Sequence, residues 1–203
     1  NENKIIKLAS KKLKIDIKKL NNNFNFPDSE DQGYIHRWSW ALNLNLKKPN
    51  ANNKKFIESA INNWFFYHQY ISPNTKKIEW YPYNISERIS NYAVLCELNI
   101  LKKNEVFCDH LTHQMYFLTK NIELYKNKIS NHALNNARAI FLHSCHTKNK
   151  IFKEFSINLI LYLCNKFIDK QGFFKFGSSH YQFIFTKWLL EICYFGTKYK
   201  EKK

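Results

Sequence analysis

The chain predicts an all-α fold built from antiparallel helical hairpins. Two observations carry this expectation. Apolar residues recur at three- and four-residue spacing through six long segments, and strand-like alternation is almost absent. Those segments run about 16 residues each and are joined by short loops, which turn consecutive helices back on one another. A third observation bounds the class. Aromatics make up 17% of 203 residues and glycine numbers only four, so the chain can build a real core and does not read as low-complexity.

Taken in order, Lys4 to Leu20 is basic with apolar residues at Ile5, Ile6, Leu8, Leu13, Ile15 and Ile17, and reads as a weak helix or an attached arm. Asn21 to Gly33, with Pro27, Asp28 and Gly33, reads as a polar linker. Residues 1–30 are therefore expected to be arm and linker, and residues 31–203 one helical domain. Lys54 to Tyr70 predicts a helix packed through Phe56, Ala60, Trp64 and Phe65. Ser86 to Lys102 buries Ile89, Tyr92, Ala93, Cys96 and Ile100, and Asn104 to Lys120 buries Phe107, Leu111 and Leu118. A helix capped by Ser130 follows, with Leu134, Ala137, Ile140 and Phe141 on its buried stripe. Ile151 to Lys170 and Ser179 to Tyr194 complete the set, the latter packing through Ile184, Phe185, Trp188, Leu189 and Ile192. The last helix is expected to end near Gly196, leaving a short basic tail.

The formal charge is +16. It favours an acidic partner, although abundant lysine, asparagine, isoleucine and phenylalanine also fit A+T-rich coding. Lys11, Lys12, Lys14, Lys18 and Lys19 could serve a basic nucleic-acid-binding domain. The basic residues are dispersed, however, and no helix-turn-helix, zinc-finger or RNA-recognition signature is present, so no nucleic-acid partner is expected. The five cysteines, Cys96, Cys108, Cys145, Cys164 and Cys193, are odd in number and widely spaced, which suggests buried reduced thiols. Cys108, Asp109, His110 and His113 have a metal-like spacing but lack a second ligand cluster, and His143 with Cys145 and His146 fits core packing equally well. No metal or cofactor is expected. Ile157 to Cys164 is short and broken by Asn158, so no membrane span is expected. The chain opens on asparagine rather than methionine and reads as a piece of a longer protein.

Two helix starts carry chemistry. Asn131 and His132 set a carboxamide and an imidazole on a first turn, where free N–H groups and the helix dipole favour an anion and keep an imidazole neutral enough to act as a base. Gly177-Ser178-Ser179-His180-Tyr181-Gln182-Phe183 sets a tyrosine in an equivalent place. Each residue also has a plain structural role open to it. Asn131 could simply help cap its helix and His132 could be a core histidine. Tyr181, spaced with Ile184 and Phe185, could be a core tyrosine. Arg88 could grip a substrate carboxylate or pair with Glu87 or another helix, and Trp80, Tyr81 and Tyr83 could stack on sugar rings or form a packed loop.

Ser130-Asn131-His132 followed by Asn136-Ala137-Arg138-Ala139 resembles the signature of the heparinase II/III-like polysaccharide lyases. Gly172-Phe173-Phe174 with Gly177 to Gln182, and Trp80 to Tyr92 upstream, resemble two further motifs of that family in the same order. The resemblance covers about Trp80 to Glu191. It implies that the hairpins form an incomplete (α/α) toroid, and that the substrate is an acidic, uronate-containing polysaccharide cleaved by β-elimination. Asn131 would then neutralise the substrate carboxylate, with His132 and Tyr181 sharing the acid–base work. Arg88, Trp80, Tyr83 and His180 would hold the substrate. A β-sandwich domain following the toroid and a periplasmic or secreted location are implied as well. Glu123 and Tyr125 fit the family's usual approach to the first motif. The chain departs from the pattern at Phe176, where the family commonly has an acid. That departure favours an alternative, a toroid that binds acidic glycans with little or no cleavage.

Overall fold

The computed structural model of the chain describes residues 3–7, 12–16, 29–47, 49–70, 77–125 and 128–200. The N-terminal segment departs from the helical expectation. Asn3–Lys7 (β1) and Lys12–Asp16 (β2) pair as antiparallel strands, with Asn3 opposite Asp16 and Lys7 opposite Lys12. Too few apolar residues recur here to sustain a helical stripe, and β-branched isoleucine suits a strand. Ile6 enters the core, where β1 lies on the second helix, so the segment is an arm, but a hairpin one. Leu8, Ile17, Lys11, Lys18, Lys19 and the expected linker through Asp28 lie outside the described residues.

The linker ends earlier than Gly33. Ser29–Arg37 is helical (α1), with Glu30 and Asp31 in its first turn, where acidic groups favour the helix dipole. Gly33 belongs inside this helix for a steric reason. A Cβ there would stand 2.9 Å from Arg37 Nη2 and 3.3 Å from Asn84 Nδ2. The chain breaks at Trp38, whose φ of 61° is left-handed, and restarts as Ser39–Lys47 (α2). Ala51–Tyr67 (α3) is capped by Asn50, whose Oδ1 accepts from Asn53 N at 2.8 Å. A 3₁₀ turn at Ile78–Trp80 leads to Pro82–Glu97 (α4), which starts on proline, where a missing N–H costs nothing. Glu105–Lys120 (α5) and Lys150–Phe167 (α7) are capped by the side chains of Asn104 and Asn149. Between them lie a two-residue hairpin, Leu124–Tyr125 (β3) with Lys128–Ile129 (β4), and His132–Thr147 (α6). Ser179–Lys198 (α8) closes the described part.

The architecture is all-α, eight helices among the described residues. Helices α2, α4, α6 and α8 stand side by side. The helix α3 packs on α2, α5 fits against α4 and α6, and α7 packs on α6. Two apolar clusters fill the interior. One gathers Trp38, Trp40, Trp64 and Trp80 with residues of α3 to α5, and the other gathers Leu134, Phe141, Leu163, Phe185 and Trp188 around α6 to α8. Among the described residues no helix is long and apolar enough to cross a membrane. All five cysteines are free, but only Cys108 and Cys145 are buried, and Cys193 is exposed on α8.

The interior also holds histidines in neutral form. Burial pushes His68 down to about 4 and His143 down to about 3, and lowers His36, His110 and His146 as well, with positive neighbours (Arg88 at His36, Lys103 at His146) adding to the effect. An unfolded histidine titrates near about 6.5. Between that value and the folded ones the unfolded chain binds more protons than the native one, so stability falls as the pH falls. We expect the urea midpoint to drop steadily from pH 6.5 to about pH 4. A midpoint constant over that interval would show that these imidazoles do not resist protonation.

A cleft at three helix starts

Three helix N-termini meet at one cavity of about 400 Å³: Tyr83 and Asn84 from α4, Asn131 and His132 from α6, and His180 and Tyr181 from α8. Arg37 and Glu30 of α1, Glu123 of β3's approach, and Trp188 one helical turn and more beyond Tyr181 complete its walls.

The α6 start is organised by Ser130. Its hydroxyl oxygen accepts from His132 N at 3.1 Å and its carbonyl accepts from Ala133 N at 3.0 Å, so Ser130 does the capping. Asn131, already in helical conformation, makes no side-chain cap bond. The Ser130 hydroxyl lies 3.4 Å from Asn131 Oδ1, which leaves the Asn131 Nδ2 donors without a protein partner among the described residues. His132 Nδ1 meets Glu123 Oε1 at 2.9 Å. Glu123 is itself held in place: its N–H donates to Asn136 Oδ1 at 3.0 Å, while Asn136 Nδ2 donates to Ser86 Oγ at 2.9 Å and reaches Glu123 Oε2 at 3.4 Å. The second asparagine of the motif thus fixes the acid that orients the motif's histidine. A carboxylate on Nδ1 keeps the proton there and turns Nε2 into the acceptor.

The Tyr83 ring lies 4.6 Å from the His132 ring, and the Arg37 guanidinium carbon lies 4.8 Å from the Tyr83 centroid. Burial and the Glu87 charge push the Tyr83 hydroxyl well above the ordinary phenol value, so it stays a neutral donor. Arg37 is fixed by Glu30 and by Asn84 Oδ1, which accepts from its Nε at 2.6 Å. On α8, Tyr181 is 38% exposed at the cleft. The approach to it turns at Gly172 and Gly177, both at positive φ where glycine is favoured, and Gln182 Oε1 accepts from Phe174 N at 3.0 Å. Phe176, 44% exposed, sets its ring against those of Phe167, Tyr181 and Phe185, so an aromatic ring stands where the resemblance would place an acid.

Asn131, His132, Tyr181, Tyr83 and His180 therefore share the cleft; Arg88 and Trp80 do not. Arg88 is fully buried, with Nε and Nη2 donating to Gln114 Oε1, Nη2 also to the Glu79 carbonyl, and Nη1 to the His36 carbonyl. Its guanidinium lies 4.3 Å from the Trp64 ring and 5.6 Å from the Trp80 ring, and burial pulls it down to about 9. Nor does it pair with Glu87, which belongs to Arg138. The substrate-gripping expectation for Arg88 fails because its face of α4 turns into the core, where it pairs instead with another helix through Gln114 of α5. Trp80 is 2% exposed and cannot offer a face to a sugar. Arg37 is the arginine that reaches the cleft, and sequence reasoning misses it because no helical stripe marks the stretch between Gly33 and Lys54.

Behind the cleft, buried Arg138 of α6 joins α4 to α8. Its Nη1 lies 3.2 Å from Glu87 Oε1 and its Nε 3.2 Å from Glu191 Oε2, and it sits 5.3 Å over Trp188. Burial alone would raise the Glu87 carboxyl. Arg138, helped by Lys187, Arg37 and Asn135, holds it below the usual carboxylate range. Of the sequence's metal-like residues, His110 Nε2 pairs with the His68 carbonyl at 2.8 Å, His113 Nδ1 with the Asp109 carbonyl, and His143 Nε2 with Thr112. Among the described residues no group of three or more His, Cys, Asp or Glu is placed to hold a metal ion. Compared with family models, curated proteins and solved structures, the chain matches none.

Proposed function

We propose that the cleft acts on an acidic, uronate-containing polysaccharide by β-elimination, as the sequence's resemblance to heparinase II/III-like lyases implies. The observation that carries the reading is the meeting of Asn131, Glu123-bound His132 and Tyr181 at one cavity. A sugar with a carboxylate at C5 needs that charge neutralised, the C5 proton removed and the C4 oxygen protonated as it leaves. The free Asn131 Nδ2 donors, with Arg37 lining the same cavity, are suited to the carboxylate. His132 Nε2 takes the C5 proton, the C4–O bond breaks as the C4–C5 double bond forms, and Tyr181 gives its hydroxyl proton to the departing oxygen. Transfer of the proton from His132 back to Tyr181 through the cleft restores both groups, and no water is consumed. The row α2–α4–α6–α8, with α3, α5 and α7 against it, supports reading the hairpins as part of an (α/α) toroid.

The test is ultraviolet absorbance from unsaturated uronate on a panel of acidic polysaccharides. A rise is expected with at least one of them, and it should vanish in His132→Ala. A second reading, glycan binding without cleavage, is favoured by Phe176 in the acid's place. It predicts retention on an acidic-polysaccharide matrix with no absorbance change on any member of the panel.

A further inference from the structure

The far ends of α6 and α8 carry a second cavity. The helix α6 spans about 24 Å at 1.5 Å per residue, so this site is separated from the cleft by the length of a helix. Lys148, Lys150, Lys153, Lys198 and Lys200 line its volume of about 340 Å³. Lys198 is held by Glu97, and Lys153 donates to the Tyr199 carbonyl at 2.9 Å. Among the described residues Lys148 and Lys200 meet no carboxylate. The start of α7 opens here with no acidic residue in its first turn, but Asn149 caps it and the carbonyl ends of α6 and α8 lie at the same cavity, so the positive charge of the site is that of the lysines. Lys148 itself stands at φ 58°, the helix-terminating position that favours glycine. An amine is kept where the backbone would prefer none.

The basic cavity does not stop at the lysines. Lys150, Lys153 and Lys200 also border an adjoining space of about 480 Å³, whose other walls are Phe141, Ile157, Glu154 and Gly196. Its apolar lining comes from three helices, Phe141 of α6, Ile157 of α7 and Gly196 of α8. Gly196 keeps the space open: a Cβ there would lie 3.6 Å from Phe141 Cζ, an ordinary contact. The result is a groove with a multiply cationic end and an apolar end. The amines act as separate point charges with no arginine fork among them, which suits the clustered charge of phosphate better than a single planar carboxylate.

We propose that this groove binds an amphiphilic phosphate, its phosphate among the lysines and its apolar body over Phe141 and Gly196. Octyl phosphate, inorganic phosphate and the neutral octyl glucoside, titrated calorimetrically into the full chain, separate the two ends. Octyl phosphate should bind once per chain. It should bind about tenfold or more tightly than either of the others, since burying two or three methylenes suffices for that ratio. Two variants remove one end each without harming the fold. Lys148→Gly suits the left-handed backbone and should weaken octyl phosphate about two- to fivefold. Gly196→Leu suits the helix and fills the apolar end, so it should bring octyl phosphate down to the affinity of inorganic phosphate. Thermal melting of both should match or exceed the parent. Equal affinity for octyl glucoside, equal affinity for inorganic phosphate, or parental binding in both variants would overturn the proposal. So would uptake only by anionic lipid vesicles, with none of monomeric octyl phosphate, because that would make the lysines a membrane-facing surface.

Discussion

Tyr181→Phe should lower elimination by on the order of 10²-fold or more and leave the melting temperature unchanged. The change removes one oxygen. The Tyr181 hydroxyl has no protein partner among the described residues, while the ring keeps its contacts with Phe176, His180 and Phe185 at centroid distances of 5.9–6.3 Å. Nothing that holds α8 in place is lost; what disappears is the proton for the departing oxygen. Initial rates of absorbance change, measured with a substrate the parent cleaves, and a thermal melt of the same preparation decide the matter. An unchanged rate would take Tyr181 out of the chemistry. A slowed rate with a melting temperature lowered by several degrees would mean that the hydroxyl had been holding structure.

The largest effect on stability belongs to Arg138→Ala. Arg138 is fully buried between Glu87 and Glu191, and its removal leaves two largely buried carboxylates with half-exposed Lys187 as the ion-pair partner of Glu191, and Lys187, Arg37 and Asn135 as the weaker support of Glu87. Breaking such an arrangement from one side costs about 3–5 kcal/mol. For a chain of this size that corresponds to a fall in melting temperature on the order of 10 °C. The pH dependence carries the signature of the cause. In the parent the Glu87 carboxyl is held below the usual carboxylate range, so its pairing stabilises the fold at neutral pH and that stability is lost as the pH falls through the folded value. In Arg138→Ala the largest opposing charge is gone and only Lys187, Arg37 and Asn135 still counter burial, so the same carboxyl takes up its proton at a higher pH than in the parent and loses less stability when it does. The deficit measured by urea unfolding should therefore narrow on going from pH 7 to pH 4. A deficit independent of pH would point to lost packing against Trp188 instead of unpaired charge.

The long helices were legible because a single buried stripe dominates each of them. The positions Phe56, Ala60, Trp64 and Phe65 on α3, and Leu134, Ala137, Ile140 and Phe141 on α6, are all buried, and the predicted bounds fall within a few residues of the observed ones. The segments that escaped are short. Both α1 and α2 have nine residues, and Gly33 in one and Asn43 and Asn45 in the other carry the usual marks of a loop. What decides them is tertiary: Gly33 makes room for Arg37 and Asn84, and Trp38 turns its ring onto Trp64, Phe65 and Tyr92. The β1–β2 arm was misread because two or three isoleucines cannot distinguish a helix from a strand. The candidate site shows the same division. Residues at helix starts, such as Asn131, His132 and Tyr181, can be located from capping patterns and from a motif, since a helix start has a fixed relation to its own sequence. Arg88 cannot, because its partners are the carbonyls of His36 and Glu79 and the side chain of Gln114, and no local pattern announces them. Glu123 was noticed only as part of a motif; its role rests on Asn136, thirteen positions away.

The distribution of tryptophan divides the intrinsic emission of this protein into two reporters. Trp38, Trp40, Trp64 and Trp80 belong to the cluster built from α1 to α5, with three of them linked ring to ring through Trp64. Trp188 stands apart, on α8, at the wall of the cleft and beneath the Arg138 cation. Four indoles thus record whether the α1–α5 cluster is intact and are indifferent to what enters the cleft. One indole senses the cleft. In a Trp188→Phe background the total spectrum follows unfolding alone, and the difference between that spectrum and the parent's isolates the optical signal of the site.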